Sequence, residues 1–143
     1  MTDIYVVGWD GSAGSDRAVA FAATQAKAGG AELRIAHVLE WSAYSFLTPE
    51  ELEERHARRQ QELDRGQQSI DPVVDTLAAQ GVTAVAVVRY GHAAELLCEI
   101  TEDAGAAQIF IGRTGHSKLK ARLFGSVAGA LVQSASVPVT VVP

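Results

Sequence analysis

The chain has 143 residues, which predicts one domain over residues 1–143 whose core needs neither disulfides nor a metal. Its net charge of −5 excludes nonspecific nucleic-acid binding through bulk charge, and its single cysteine excludes a disulfide framework and a multi-cysteine zinc site. We expect neither a signal peptide nor a membrane segment, because no apolar run is long enough, and therefore expect a cytoplasmic location.

Apolar, β-branched segments alternate with helical segments along the chain. Strands are predicted at 4–9, 32–39, 82–89, 107–112 and 137–142, and helices at 13–30, 92–104 and 125–134. This alternation is typical of a mostly parallel sheet that helices cover on both faces. The near-continuous apolar character of the first and fourth strands agrees with burial on both sides.

The segment 48–81 differs from the rest because its apolar residues are sparse before Ile70. A capping box that begins at Thr48 predicts the start of a helix. Pro72 lacks an amide hydrogen and disfavours helix at the residue before it, so we expect the helix to kink or restart there. The pattern predicts a solvated helix that covers the sheet loosely.

The most informative stretch follows the fourth predicted strand. Gly112 ends that strand, Gly115 follows it in a basic loop, and the last helix begins at Gly125 and Ser126. Glycines can take positive φ values and let a backbone approach an anion closely, while the amides at a helix start, including that of Val127, point toward it. The stretch is thus typical of a phosphate site. The alternative is an ordinary helix N-cap, and one structure can serve as both.

Two further features have open alternatives. Asp10 follows the first strand in an Asp-Gly-Ser turn, where its carboxylate can accept hydrogen bonds from an adenine amine or a ribose hydroxyl, or can only cap local amides. Four basic residues of the loop, Arg113, Lys118, Lys120 and Arg122, either clamp or steer phosphates or form a solvated surface.

Enzyme motifs are missing from the sequence. It has no Walker A loop, no Gly-x-Gly-x-x-Gly after the first strand and no Gly-x-Ser-x-Gly nucleophile elbow. No candidate base accompanies Ser126. We therefore assign no catalytic residue and no metal ligand, and expect at most a slow ATPase.

Several motifs together resemble the universal stress protein family. The spacing Gly-x2-Gly-x9-Gly-Ser that begins at Gly112 resembles the nucleotide-binding signature of that family. Residues 6–12 resemble its first strand and following turn, 36–38 the end of its second strand, and 137–142 its closing strand. The chain departs from the family at Gln108, where an aspartate is common.

The resemblance implies an α/β fold of the adenine nucleotide alpha-hydrolase-like type. It has an open five-stranded parallel sheet in the order 3-2-1-4-5, with helices on both faces. The resemblance also implies binding of ATP, with or without Mg²⁺. Carried over to this chain, the adenine and ribose side comprises Gly8, Asp10 and Val38, and the phosphate side comprises Gly112, Gly115, Gly125, Ser126 and Val127.

The resemblance further implies a homodimer, and the last strand, Val137 to Val142, suits this role because an open valine-rich edge favours pairing with a second copy. The implied function is a nucleotide-dependent stress-response module that an unidentified protein partner reads. The alternatives are a nucleotide-free interaction module of the same fold and a slow adenine-nucleotide hydrolase.

Overall fold

The computed structural model describes residues 2–40, 48–115 and 125–143, in which strands and helices alternate. The elements are β1 (Ile4–Gly8), α1 (Ala13–Gly29), β2 (Glu32–Leu39), α2 (Pro49–Ala79), β3 (Ala84–Tyr90), α3 (Ala93–Ala104), β4 (Gln108–Gly112), α4 (Ser126–Ser134) and β5 (Val139–Val142). The strands form one parallel sheet in the order β3-β2-β1-β4-β5. The predicted fold class and strand order are confirmed.

The two faces of the sheet bury separate apolar clusters. Side chains of a strand point alternately to opposite faces, so Val7 of β1 packs with α1 and α2, whereas Val6 packs with α3 and α4. Both valines are fully buried, as is Phe110 of β4. Burial of each such side chain contributes about 1.5–3 kcal/mol. Helices on both faces therefore cover β1 and β4, which are interior strands of the sheet.

The long helix α2 does not restart at Pro72, so that part of the prediction is wrong. The capping box at its start is confirmed, since Thr48 Oγ1 accepts a hydrogen bond from the amide of Glu51 (3.2 Å). Ile70 and Leu77, on either side of the proline, are buried against the sheet. Their burial offsets the cost of a helical proline, about 3 kcal/mol.

Polar contacts attach the first half of α2 to the end of β3. The hydroxyl of Tyr90 donates a hydrogen bond to the carboxylate of Glu62, and the guanidinium of Arg59 lies 5.1 Å from the centre of the Tyr90 ring. The hydrogen bond to Glu62, together with partial burial, raises the pKa of Tyr90 above 10.0. The contribution of this contact to stability is present below pH 10 and is lost as the pH rises through the raised pKa.

The last strand is shorter than predicted, because β5 begins at Val139 and not at Val137. Pro138 has no N–H to donate to a ladder, although its carbonyl accepts a hydrogen bond from Ile109 (3.0 Å). In the described parts of the chain, no helix combines the length and the apolarity that crossing a bilayer requires.

Candidate functional site

The strand order brings the loops after β1 and β4 together. β1 pairs with β2 on one side and with β4 on the other, and Val7 lies opposite Phe110 in the register. The sheet reverses its winding between β1 and β4, and ligands of open α/β sheets bind beyond the carboxyl ends of strands at such a point. Only the family resemblance predicted that β1 and β4 are neighbours, and the structure shows that they are.

Local hydrogen bonds fix the loop after β1. Asp10 Oδ1 accepts from the amide of Ser12 (2.9 Å), and the amide of Asp10 donates to Ser15 Oγ (3.2 Å). Ser12 is the N-cap of α1, and its Oγ accepts from the amide of Ser15 (3.1 Å). The local-cap interpretation therefore holds for one oxygen of Asp10. The bond from Ser12 also fixes the position of the Asp10 carboxylate after β1.

Two backbones cross closely where β4 ends against the start of α1. A Cβ atom on Gly14 would lie 2.3 Å from the backbone oxygen of Thr114, and one on Gly112 would lie 2.9 Å from the backbone of Gly14. No side chain larger than hydrogen fits at either position. Neither Gly112 nor Gly115 uses the positive φ that glycine permits, because neither has a φ in the left-handed region. Close approach requires the glycine at position 112.

Gly115 is the point at which the two loops meet. A Cβ atom there would lie 2.6 Å from Asp10 Oδ2 and 3.8 Å from the Cγ of the same carboxyl group. The absence of a side chain leaves room for the carboxylate of Asp10 beside the backbone of the β4 loop. Asp10, predicted on the adenine and ribose side, and Gly115, predicted on the phosphate side, thus border the same space.

The start of α4 returns to the end of β4. The amide of Gly125 donates to the carbonyl of Arg113 (2.7 Å), and Gly125 is the N-cap of α4 without any side-chain cap. The first amides of a helix lack internal acceptors and carry the positive end of the helix dipole. The amides of Ser126 and Val127 therefore suit a bound anion.

These elements enclose a cavity of about 290 Å³. All eight predicted site residues line it: Gly8, Asp10, Val38, Gly112, Gly115, Gly125, Ser126 and Val127. Lys118, Lys120 and Arg122 lie outside the described residues. Gln108 lies at the other end of β4, where its side chain bonds to Thr140, so the departure from the family pattern does not touch the cavity.

The prediction missed several lining residues. They include Trp9 after β1, Glu40 after β2, Ala93 and Leu97 of α3, and Thr114. Each lies at or near the carboxyl end of a central strand or the start of the next helix, so the strand order would have pointed to them. The indole of Trp9 is fixed by a hydrogen bond to Asp16 (2.8 Å) and by edge contact with His37.

The charges around the cavity are unevenly distributed. Asp10 and Glu40 follow β1 and β2, whereas Arg113 follows β4 and is the one cation among the described lining residues. Apolar groups, including Val38 and Leu97, also line the cavity. The arrangement suits a ligand with hydrogen-bond donors at one end, a flat apolar middle and negative charge at the other end. Within the described ranges, no three His, Cys, Asp or Glu side chains converge as a metal site would require.

Comparison with known proteins gives a family match and several structural matches. The model of the universal stress protein family matches residues 1–143. Universal stress protein UspA from Lactobacillus plantarum is 20% identical, with a TM-score of 0.86 over 99% of this chain and 97% of that one. A universal stress protein in complex with cAMP is 27% identical, with a TM-score of 0.64 over 99% and 96% of the two chains.

A third match is the universal stress protein from Archaeoglobus fulgidus in complex with dAMP. It is 20% identical, with a TM-score of 0.63 over 100% of this chain and 98% of that one. No curated protein sequence matches the chain.

Proposed function

Because the chain belongs to the universal stress protein family, we propose that it binds an adenine nucleotide in the cavity between the β1 and β4 loops. One observation carries this proposal. The carboxylate of Asp10, the backbone at Gly115 and the uncapped start of α4 border one space at the point where the sheet reverses. The cAMP complex of a relative 27% identical to this chain supports the choice of ligand.

The charges of the cavity give the nucleotide one orientation. Its base and ribose lie toward Gly8, Asp10 and Val38, where carboxylate oxygens accept from amine and hydroxyl groups. Its phosphates lie toward the β4 loop and the amides of Ser126 and Val127. Two or three hydrogen bonds to phosphate oxygens, each about 1.5–3 kcal/mol, less the cost of association, predict micromolar affinity.

We further propose that the bound nucleotide is ATP and that it acts as a signal in the cytoplasm. Mg²⁺ fits only as a companion of the nucleotide, because Asp10 and Glu40, the carboxylates among the described lining residues, are too few for a protein cage and Mg²⁺ commonly binds through substrate phosphates. The bound nucleotide then changes the stability or conformation of the protein, and a second protein recognises that change. Hydrolysis of the nucleotide is at most slow.

Nucleotide binding is expected to stabilise the protein against heat. At a ligand concentration one hundred times Kd the gain is about 2.7 kcal/mol. For a domain of this size that corresponds to a rise in Tm of about 6–10 °C. Differential scanning fluorimetry with AMP, cAMP and ATP, each with and without Mg²⁺, measures it. GMP is the control for the base, and an unchanged Tm with all three adenine nucleotides would count against the proposal.

We also propose that the protein dimerises through β5. This strand lies at the edge of the sheet, and Pro138 and Val142 direct their carbonyls to β4 (3.0 and 2.7 Å). Alternate residues of a strand bond to opposite neighbours, so Val139 and Val141 direct their backbone groups to the open edge. A second copy can pair with that edge about a two-fold axis.

Val141→Pro is expected to convert the dimer to a monomer. Proline removes one outward N–H and spares the hydrogen bonds to β4, so the fold should persist. Multi-angle light scattering after gel filtration measures the mass, and circular dichroism checks the fold. Val141→Ala keeps the N–H and is expected to remain dimeric. A Val141→Pro protein of unchanged dimeric mass would place the interface elsewhere.

A further inference from the structure

One polar atom beside the cavity lacks an acceptor. The Nε atom of Arg113 has less than 1 Å² of exposed surface and no hydrogen-bond partner among the described residues. Buried N–H groups in folded proteins are almost always paired, and an exception points to a missing partner such as a bound ion. The guanidinium is permanently charged, so its missing partner is best supplied by an anion.

The position of Arg113 indicates where that anion lies. Its amide donates to Val142 and its carbonyl accepts from Gly125, both at 2.7 Å, so its backbone is fixed between β5 and the start of α4. The residue lines the cavity beside Thr114 and Gly115. The other charged side chains of the described lining, those of Asp10 and Glu40, repel an anion. Arg113 therefore marks the end of the cavity at which negative charge is tolerated.

We propose that Arg113 is the residue by which the cavity selects phosphorylated ligands. The guanidinium turns toward the cavity when the ligand enters, and its planar fork donates to two phosphate oxygens. This rotation of the side chain gives the buried Nε–H of Arg113, which has no acceptor among the described residues, charge-assisted hydrogen bonds to the ligand. This inference rests on the proposed adenine-nucleotide function, and it predicts that AMP and cAMP bind tightly while adenosine, which lacks the phosphate, binds weakly.

Calorimetric titration of Arg113→Met with AMP, cAMP and adenosine tests the inference. Methionine keeps most of the length and apolar volume of the side chain but removes its charge and donors. The affinities for AMP and cAMP are expected to fall at least about tenfold, because each hydrogen bond to a charged group is worth that much or more. The affinity for adenosine is expected to change less than about twofold. Arg113→Lys restores the charge without the fork, so it should recover part of the loss.

A measurement without ligand separates selection from a structural role. Arg113→Met is expected to melt at the temperature of the parent protein or above it, because the substitution removes an unpaired buried donor. Inorganic phosphate is expected to stabilise the parent protein and not the variant. Arg65→Met, on the exposed surface of α2, is the matched control and should behave as the parent protein does.

The outcomes distinguish the two proposals. Parent protein that binds phosphate through Arg113 but no adenine nucleotide would refute the proposed function and leave the anion site intact. If the parent protein and Arg113→Met bind AMP equally tightly, the role of Arg113 is refuted and the proposed function is not. A clear loss of Tm in ligand-free Arg113→Met, with Arg113→Lys equally affected, would show that the guanidinium is structural.

Discussion

Gly14→Ala is expected to lower the Tm and to weaken nucleotide binding at the same time. The new Cβ would lie 2.3 Å from the backbone oxygen of Thr114, a contact that forces either the start of α1 or the loop after β4 to move. Overpacking of this kind costs about 1–3 kcal/mol, and more when backbone must shift. At this size the loss corresponds to a fall in Tm of about 3–10 °C.

The affinity for AMP should fall about tenfold or more in the same variant, because the displaced loop leads directly into Gly115. Gly129→Ala is the matched control. Gly129 lies within α4, and beyond its own helix backbone and chain neighbours no atom of the described residues lies within 4 Å of an added Cβ, so alanine should stabilise the protein by about 0.5–1 kcal/mol. A Gly14→Ala protein with the Tm and affinity of the parent would show that the crossing of α1 and β4 is looser than described.

Gly115→Val combined with Gly125→Val is expected to abolish nucleotide binding while the fold persists. A Cβ at position 115 would lie 2.6 Å from Asp10 Oδ2, and one at position 125 would lie 3.3 Å from the carbonyl oxygen of Arg113. The branched side chains would displace the carboxylate and fill the space in front of the α4 amides. Neither glycine has a left-handed backbone, so valine can adopt both conformations.

Titration calorimetry with AMP should show a rise in Kd of at least about a hundredfold, which corresponds to about 2.7 kcal/mol. Circular dichroism and the Tm check that the fold is retained. Gly129→Ala again serves as the control and should bind AMP as the parent does. Affinity within twofold of the parent in the double variant would exclude this cavity as the nucleotide site.

The sequence predicted well those features that depend on local pattern. The capping box at Thr48 and the strand 32–39 both depend on neighbouring residues, and the structure has both. The effect of Pro72 depended instead on the burial of Ile70 and Leu77 against distant strands, which local pattern does not contain. Tertiary packing outweighed local propensity at that point.

In the candidate site, too, local features could be predicted from the sequence and long-range contacts could not. The glycine spacing after β4 marked a close approach of the backbone, but Gly14, its partner in that approach, lies far away in the sequence and carried no signal. Glu40 and Ala93 follow other strands and reach the cavity only through the strand order, which came from the family resemblance. The neighbourhood of β1 and β4 is a long-range property, and residue chemistry alone leaves it undetermined.

A crystal structure of the protein grown with AMP tests the central claim most directly. We expect the adenine and ribose beside Asp10 and Val38, and the phosphate at the amides of Ser126 and Val127. The same crystals with the nucleotide bound at another surface, or with side chains filling the space between Asp10 and the start of α4, would contradict the proposed function.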